Sequence, residues 1–304
     1  MGYGGYSYEA HQAMTQARAE QPRQEVFKQT DVHPSMNPYG VKKRECRDSP
    51  DHPNSLAICF SLDVSGSMGE IPERLARREL PQFMKLLSAC GVPDPQILFT
   101  AFCDAKYDKT PLQVGQFEST AELMDRWLTL TSLLAVVRGS SYSGKLEGGE
   151  SYETALWFAA RHTALDCWEK RQKKGYLLMT GDETAYPALP AEVVEKALGY
   201  AIEGDIATPE VMAAVRETWV PFFLIPDPSR RGVEGYWRTL FGNDVIVLAH
   251  PVDTCAVSAA LIAVSEGLIQ GETGVREMLQ RGGVEAARID PVLASLRPWL
   301  EARG

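Results

Sequence analysis

The stretch Leu56-Ala57-Ile58-Cys59-Phe60-Ser61-Leu62 is an apolar run of strand length, and it ends directly on Asp63-Val64-Ser65-Gly66-Ser67. Apolar side chains without polar alternation predict a strand buried on both faces, as in a parallel sheet covered by helices. A helix-like pattern begins a few residues later. An acidic side chain and two hydroxyls at alternate positions, just past a strand end, turn three oxygens toward one point. A hard cation such as Mg²⁺ takes oxygen ligands and keeps several waters. The pattern predicts a metal at the mouth of the sheet. Asp, Ser and Gly also build ordinary turns and helix caps, so the reading depends on what surrounds the motif.

From Leu56 onward strands and helices alternate, which predicts an α/β fold with a doubly wound, mostly parallel, Rossmann-like sheet. Strands are expected at 56–62, 96–102, 175–180, 220–225 and 245–248, with 111–117 as an edge strand. Helices are expected over 72–90, 119–130 with Ser119 as its N-cap, 151–174, 191–202, 209–219, 235–241 and 253–269. In the first of these, Leu75, Leu80, Phe83, Met84, Leu86 and Leu87 make an apolar stripe. Residues 1–54 read as an N-terminal extension with a short helix at 8–18. Residues 55–270 read as the domain and 271–304 as a helical tail.

Composition narrows the class. The chain has 304 residues, 44% of them hydrophobic, and a formal net charge of -9. That charge disfavours nonspecific nucleic-acid binding, which needs a basic surface. The six cysteines form no C-x-x-C pair and the five histidines show no zinc-type spacing, so buried free thiols are expected. The N-terminus has neither the basic nor the apolar region of a leader, and no stretch reaches the length of a membrane span. A soluble cytoplasmic protein is the expectation.

Two further segments join the first. Asp182 stands two residues past the expected strand at 175–180. Glu150 and Ser151 open the helix that precedes that strand, in Gly148-Gly149-Glu150-Ser151-Tyr152-Glu153-Thr154-Ala155-Leu156. In open α/β sheets ligands bind beyond the carboxyl ends of strands, at a topological switch point. All three segments lie on that side.

In order and spacing these segments resemble the von Willebrand factor A (VWA) domain with its metal-ion-dependent adhesion site, of the bacterial intracellular type. The resemblance covers roughly residues 55–269. The first element is intact as Asp63, Ser65 and Ser67, and the third as Asp182. The second departs from the family, since Glu150 falls where a Thr is usual and Ser151 is the neighbouring hydroxyl; Thr154 lies about one turn inside the helix. The resemblance implies a cation on Ser65 and Ser67, supported by Asp63, Asp182 and either Glu150 or Ser151. Mg²⁺ is expected, with Mn²⁺ and Ca²⁺ also compatible with oxygen ligands. It further implies a non-enzymatic adaptor that binds an acidic side chain of a protein partner, for which a MoxR-type AAA+ ATPase is the partner class. Two alternatives stand beside it. One is a metal-dependent hydrolase using the same carboxylates. The other is a structural subunit whose site is vestigial or permanently filled, because Glu150 adds a carboxylate that closes the open position.

Other segments carry less. Gly139 to Lys145 spells G-x-x-x-x-G-K, but Leu146 stands where a phosphate loop needs Ser or Thr. Asp104 and Asp108 read as a strand-end turn. Asp166 is one turn from His162 and within bonding reach on a helix. Glu183 is a conceivable base that nothing positions. Arg230, Arg231 and Arg238 with Trp237 read as an ordinary helix surface before a basic-aromatic patch.

Overall fold

The computed structural model describes residues 5–65, 68, 70–108, 110–133 and 149–303. Ser67 and the Gly139–Lys145 segment lie outside the described residues. The fold is built on a six-stranded sheet: β1 (Leu56–Asp63), β2 (Pro95–Phe102), β3 (Leu112–Val114), β4 (Gly175–Thr180), β5 (Trp219–Ile225) and β6 (Val245–Val247). The order across the sheet is β6-β5-β4-β1-β2-β3. Neighbours are parallel except β2 and β3, so β3 is an antiparallel edge. The doubly wound α/β fold expected from the alternation is the one observed.

Every position of β1 is buried. Its side chains alternate between two cores, because successive Cβ atoms of a strand point to opposite faces. Leu56, Ile58, Phe60 and Leu62 share one core with the helices Leu80–Ala89, Thr254–Ser265, Gly271–Arg281 and Ala286–Glu301. Ala57 and Cys59 share the other with Tyr152–Arg161, Ala191–Leu198, Thr208–Thr218 and Glu234–Phe241. Phe60 meets Phe83 edge-on at 5.0 Å and stacks on Phe99 at 6.0 Å. Such pairs add about 1 kcal/mol each beyond area burial.

Five expectations are corrected. The helix expected at 72–90 is interrupted: Glu70–Arg74 runs into a π-helical stretch, Leu75–Glu79, before Leu80–Ala89. Pro81, in the first turn of the last segment, lacks the N–H that a regular helix would use, and a wider turn accommodates it. The helix expected at 151–174 stops at Arg161. Thr163–Leu165 is instead a strand paired in parallel with Arg44–Cys46, and Asp166–Arg171 is a separate helix. Pairing with a distant segment overrides local helix propensity there. His162 consequently bonds the Val41 carbonyl and the Tyr200 hydroxyl, each at 2.9 Å, and not Asp166. Ser119 bonds His52 Nε2 at 3.1 Å, and Thr120 is the N-cap residue. Finally, the helix expected at 191–202 ends at Leu198, because Gly199 takes φ 84°, the left-handed conformation of a C-terminal stop.

The helix Tyr8–Ala17 is fastened to this frame. Ser7 caps the helix Tyr8–Ala17, Arg18 forks onto Asp125, and Arg77 donates to the Arg18 and Ala19 carbonyls. At the other terminus, Trp299 donates to Asp244 at 2.8 Å and packs on Phe222. The six cysteines are free thiols, all buried except half-buried Cys90. Among the described residues, no helix is long and apolar enough to cross a membrane.

Candidate functional site

Both β1 and β4 point their carboxyl ends at one region, and they are the neighbours where the winding reverses. From β1 the chain builds outward through β2 and β3 on one side, and from β4 through β5 and β6 on the other. This is the topological switch point at which doubly wound sheets leave a crevice.

Asp63 is the last residue of β1 and is wholly buried. Its Oδ1 accepts the Ser65 N–H at 2.8 Å, an Asx turn that breaks the strand and brings Ser65 back over the sheet end. The Ser65 hydroxyl also donates to the Asp63 carboxylate. Asp63 Oδ2 accepts the Tyr152 hydroxyl at 3.0 Å. Burial first and the nearby charge of Asp182 second raise the Asp63 carboxyl to about 7, against the pull of these hydrogen bonds. Burial and the charges of Asp63, Asp182 and Glu150 push the Tyr152 hydroxyl well up, so it stays protonated and donates.

Tyr152 carries no sequence expectation, yet it ties the site together. It is the first residue of its helix, completely buried between Phe102, Phe223 and Trp237. Its hydroxyl also accepts the Glu183 N–H at 3.3 Å. A Cβ at position 181 would collide with the Tyr152 ring, so Gly181 is the residue that lets β4 exit past it. The available signal was position: the first helical residue after Gly-Gly-Glu-Ser has to face the sheet end.

The other expected ligands surround this pair. Asp182 is buried, and Arg230 Nη1 approaches its Oδ2 to 2.9 Å. Glu150 is buried and bridges to the chain after β4, its N–H donating to the Thr184 carbonyl at 2.9 Å. Ser151 is the N-cap residue of the Tyr152–Arg161 helix, and its hydroxyl accepts the Ala105 N–H at 2.9 Å, which turns it toward the exit of β2. Thus Asp63, Ser65 and Asp182 are brought together, Glu150 joins them through the field at Tyr152, and Ser151 is held one strand away. Among the described residues, no three His, Cys, Asp or Glu side chains converge tightly enough to hold a metal by themselves.

The donor set nevertheless fits a hard cation in kind. Every candidate donor is an oxygen, and two buried hydroxyls, Thr154 Oγ1 and Thr180 Oγ1, have no hydrogen-bond partner among the described residues. Arg230, expected on a plain surface, instead reaches Asp182 at this site. Trp237 is buried in the second core, donating to the Glu183 carbonyl, while Arg231 and Arg238 pair with Glu234. Asp104 holds the β2 exit closed by accepting the Lys106 N–H and the Tyr186 hydroxyl, both at 2.9 Å, and Asp108 accepts the Asp104 N–H.

No family model matches this sequence, and no curated protein matches it. Among solved structures, it is similar to proximal thread matrix protein 1 from the mussel byssus, with 12% identity and a TM-score of 0.43 over 72% of this chain. A second structure of that protein has a zinc-occupied MIDAS motif, with 13% identity and a TM-score of 0.39, again over 72% of this chain. The pilus adhesin SpaC from Lactobacillus rhamnosus GG, in its open conformation, gives 10% identity and a TM-score of 0.41 over 78% of this chain. The match spans 48% of each mussel chain and 31% of the adhesin chain.

Proposed function

We propose that this chain is a protein-binding module of the VWA type, in which a divalent cation at the switch point recognises an acidic side chain of a partner. The observation that carries this reading is the placement of two buried carboxylates, Asp63 at the end of β1 and Asp182 just past β4, on the two strands that flank the reversal. The chain's own residues prepare the position. The Asx turn fixes Ser65 over the sheet end, Tyr152 holds one Asp63 oxygen, and the Tyr152 ring seats Gly181 and so fixes where Asp182 emerges. Ser65 and Ser67 would supply neutral oxygens, and Asp63, Asp182 and Glu150 or Ser151 would orient bound waters. When bound, Mg²⁺, or Mn²⁺ or Ca²⁺ in its place, would supply a positive centre with a coordination position open to a carboxylate. The partner class implied by the VWA resemblance is a MoxR-type AAA+ ATPase.

The test is calorimetric titration of Mg²⁺ and Mn²⁺ into wild type and Asp63→Ala, followed by partner capture in Mg²⁺ or in EDTA. The expected result is binding by wild type alone, with a partner lost both in EDTA and in the variant. Cation binding that Asp63→Ala leaves intact, or a partner set indifferent to EDTA, overturns the reading.

A second reading, the structural subunit with a filled site, is favoured by Arg230. Its guanidinium stands 2.9 Å from Asp182 Oδ2 and supplies from within the charge that a metal would bring. Wild type that binds no cation, together with Arg230→Gln that does, would establish the arginine as the occupant.

A further inference from the structure

The chain carries a net charge of -9, yet one of its grooves is lined mainly by guanidinium groups. The groove has a volume of about 430 Å³ and opens between the chain just past the helix Tyr8–Ala17 and the helical segment 70–79. Ala19, Glu73, Arg74, Arg77 and Arg78 line it. Its one acidic residue is already satisfied from within. Glu73 Oε1 takes Arg77 Nε at 2.9 Å, and Oε2 takes Arg23 Nε at 3.4 Å.

The arginines differ in how firmly they are held. Arg77 also donates from Nη1 to the Arg18 and Ala19 carbonyls, at 2.9 and 3.0 Å. A guanidinium fixed in this way loses little side-chain freedom on meeting an anion. Arg78 is exposed and has no hydrogen-bond or ion-pair partner among the described residues. Arg74 and Arg78 stand four residues apart, a spacing at which like charges on a helix repel. Arg77 and Arg78 belong to the π-helical stretch Leu75–Glu79, a conformation that recurs at functional sites. An incoming anion would relieve the repulsion and complete the unpartnered guanidinium.

We infer that this groove docks an acidic segment of a protein partner, in which neighbouring carboxylates meet Arg74, Arg77 and Arg78. Charge complementarity selects the occupant, since planar guanidinium forks match carboxylates and arginine clusters read acidic motifs. Size selects a segment over a small ion: the groove is more than ten times the roughly 30 Å³ share of one water molecule. None of Asp63, Ser65, Glu150 or Asp182 lines it, so it stands whether or not the switch point takes a metal.

The experiment uses the full chain in EDTA at low salt and three probes, N-acetyl-tetraglutamate amide, its tetraglutamine counterpart and inorganic phosphate, read by amide chemical shifts. The expected result is saturable shifts at Ala19 and Arg78 with tetraglutamate, and an affinity that falls as salt is added. Affinity should be at least about tenfold weaker for tetraglutamine, and for Arg78→Glu titrated with tetraglutamate. Position 78 is exposed, and Arg78→Gln serves as the second variant if Arg78→Glu fails to fold. Equal responses to the two peptides, undiminished binding in the folded variant, phosphate bound as tightly as tetraglutamate, or no response at tens of millimolar peptide overturns the assignment.

Discussion

Two pairs of aspartates sit at opposite ends of β1, and their surroundings differ in sign. At the amino end, Asp48 accepts the Ser55 N–H and hydroxyl and is gripped by Arg171 and Lys170. Asp166 beside it accepts the Asp48 N–H and pairs with Arg47 and Lys170. Burial alone would raise the Asp48 carboxyl, but Arg171, Ser55 and Lys170 outweigh it and hold the group well below the usual carboxylate range. Asp166 is lowered in the same manner, against burial, by Lys170, the Asp48 N–H and Arg47. At the carboxyl end, burial and the neighbouring Asp182 together raise Asp63 to about 7, and Arg230 pairs with Asp182. One end is saturated with positive charge and the other is short of it. The saturated end is a clamp for the chain. A charge deficit around buried carboxylates is instead what a binding site carries before its ligand arrives.

The contrast can be broken in four ways, from the largest effect to the smallest. Arg171→Ala leaves Asp48 without its main partner and should lower stability by about 2–3 kcal/mol in urea unfolding; a loss below about 0.5 kcal/mol would show that the lower cluster is ornamental. Acid should act on the same end. Because the folded pKa values of Asp48 and Asp166 lie below the ordinary 3.8, their contribution is full above that value and is lost as pH falls through the folded values. Asp48→Asn should therefore cost about 1–2 kcal/mol near neutrality and progressively less in acid, as seen in urea midpoints across pH. Asp63→Asn, measured in EDTA, should go the other way and be neutral or stabilising by up to about 1 kcal/mol, since it removes one of two like charges; a loss as large as that of Arg171→Ala would erase the distinction. Smallest is Arg230→Gln. With its side chain 42% exposed, it should change the melting stability by only about 0.5 kcal/mol. The same variant should bind Mn²⁺ more tightly than wild type, because the internal cation is gone.

What the sequence discloses follows the range of the interactions involved. Strand β1 is legible because a seven-residue apolar run has few other fates, and Asp63 is legible because it ends that run. Asp182 follows from the same logic at the end of β4. The break of the helix at Arg161 is not legible, since its cause is the pairing of Thr163 with Arg44, far back in the chain. Arg230 escaped for a similar reason. Its local context, a Pro-Ser-Arg-Arg-Gly turn, reads as surface, and only the folding of β5 beside β4 brings it to Asp182. Tyr152 has no legible role in the segment 148–156, because an aromatic residue at a helix start reads as core, and this one is core with a hydroxyl that bonds Asp63.

The clamp at the amino end sets an order of events during synthesis. Arg47 grips Asp166 across 119 residues of chain, and Arg44–Cys46 finds its strand partner only at Thr163–Leu165. Arg44–Cys46 therefore has no strand partner until Thr163–Leu165 has been made. Through that interval β1 and β2 can pair with each other while this short strand waits. At a synthesis rate of roughly 5–20 residues per second, the wait is several seconds or more. Arg44–Cys46 is made before any strand of the main sheet and is paired only after three of them exist.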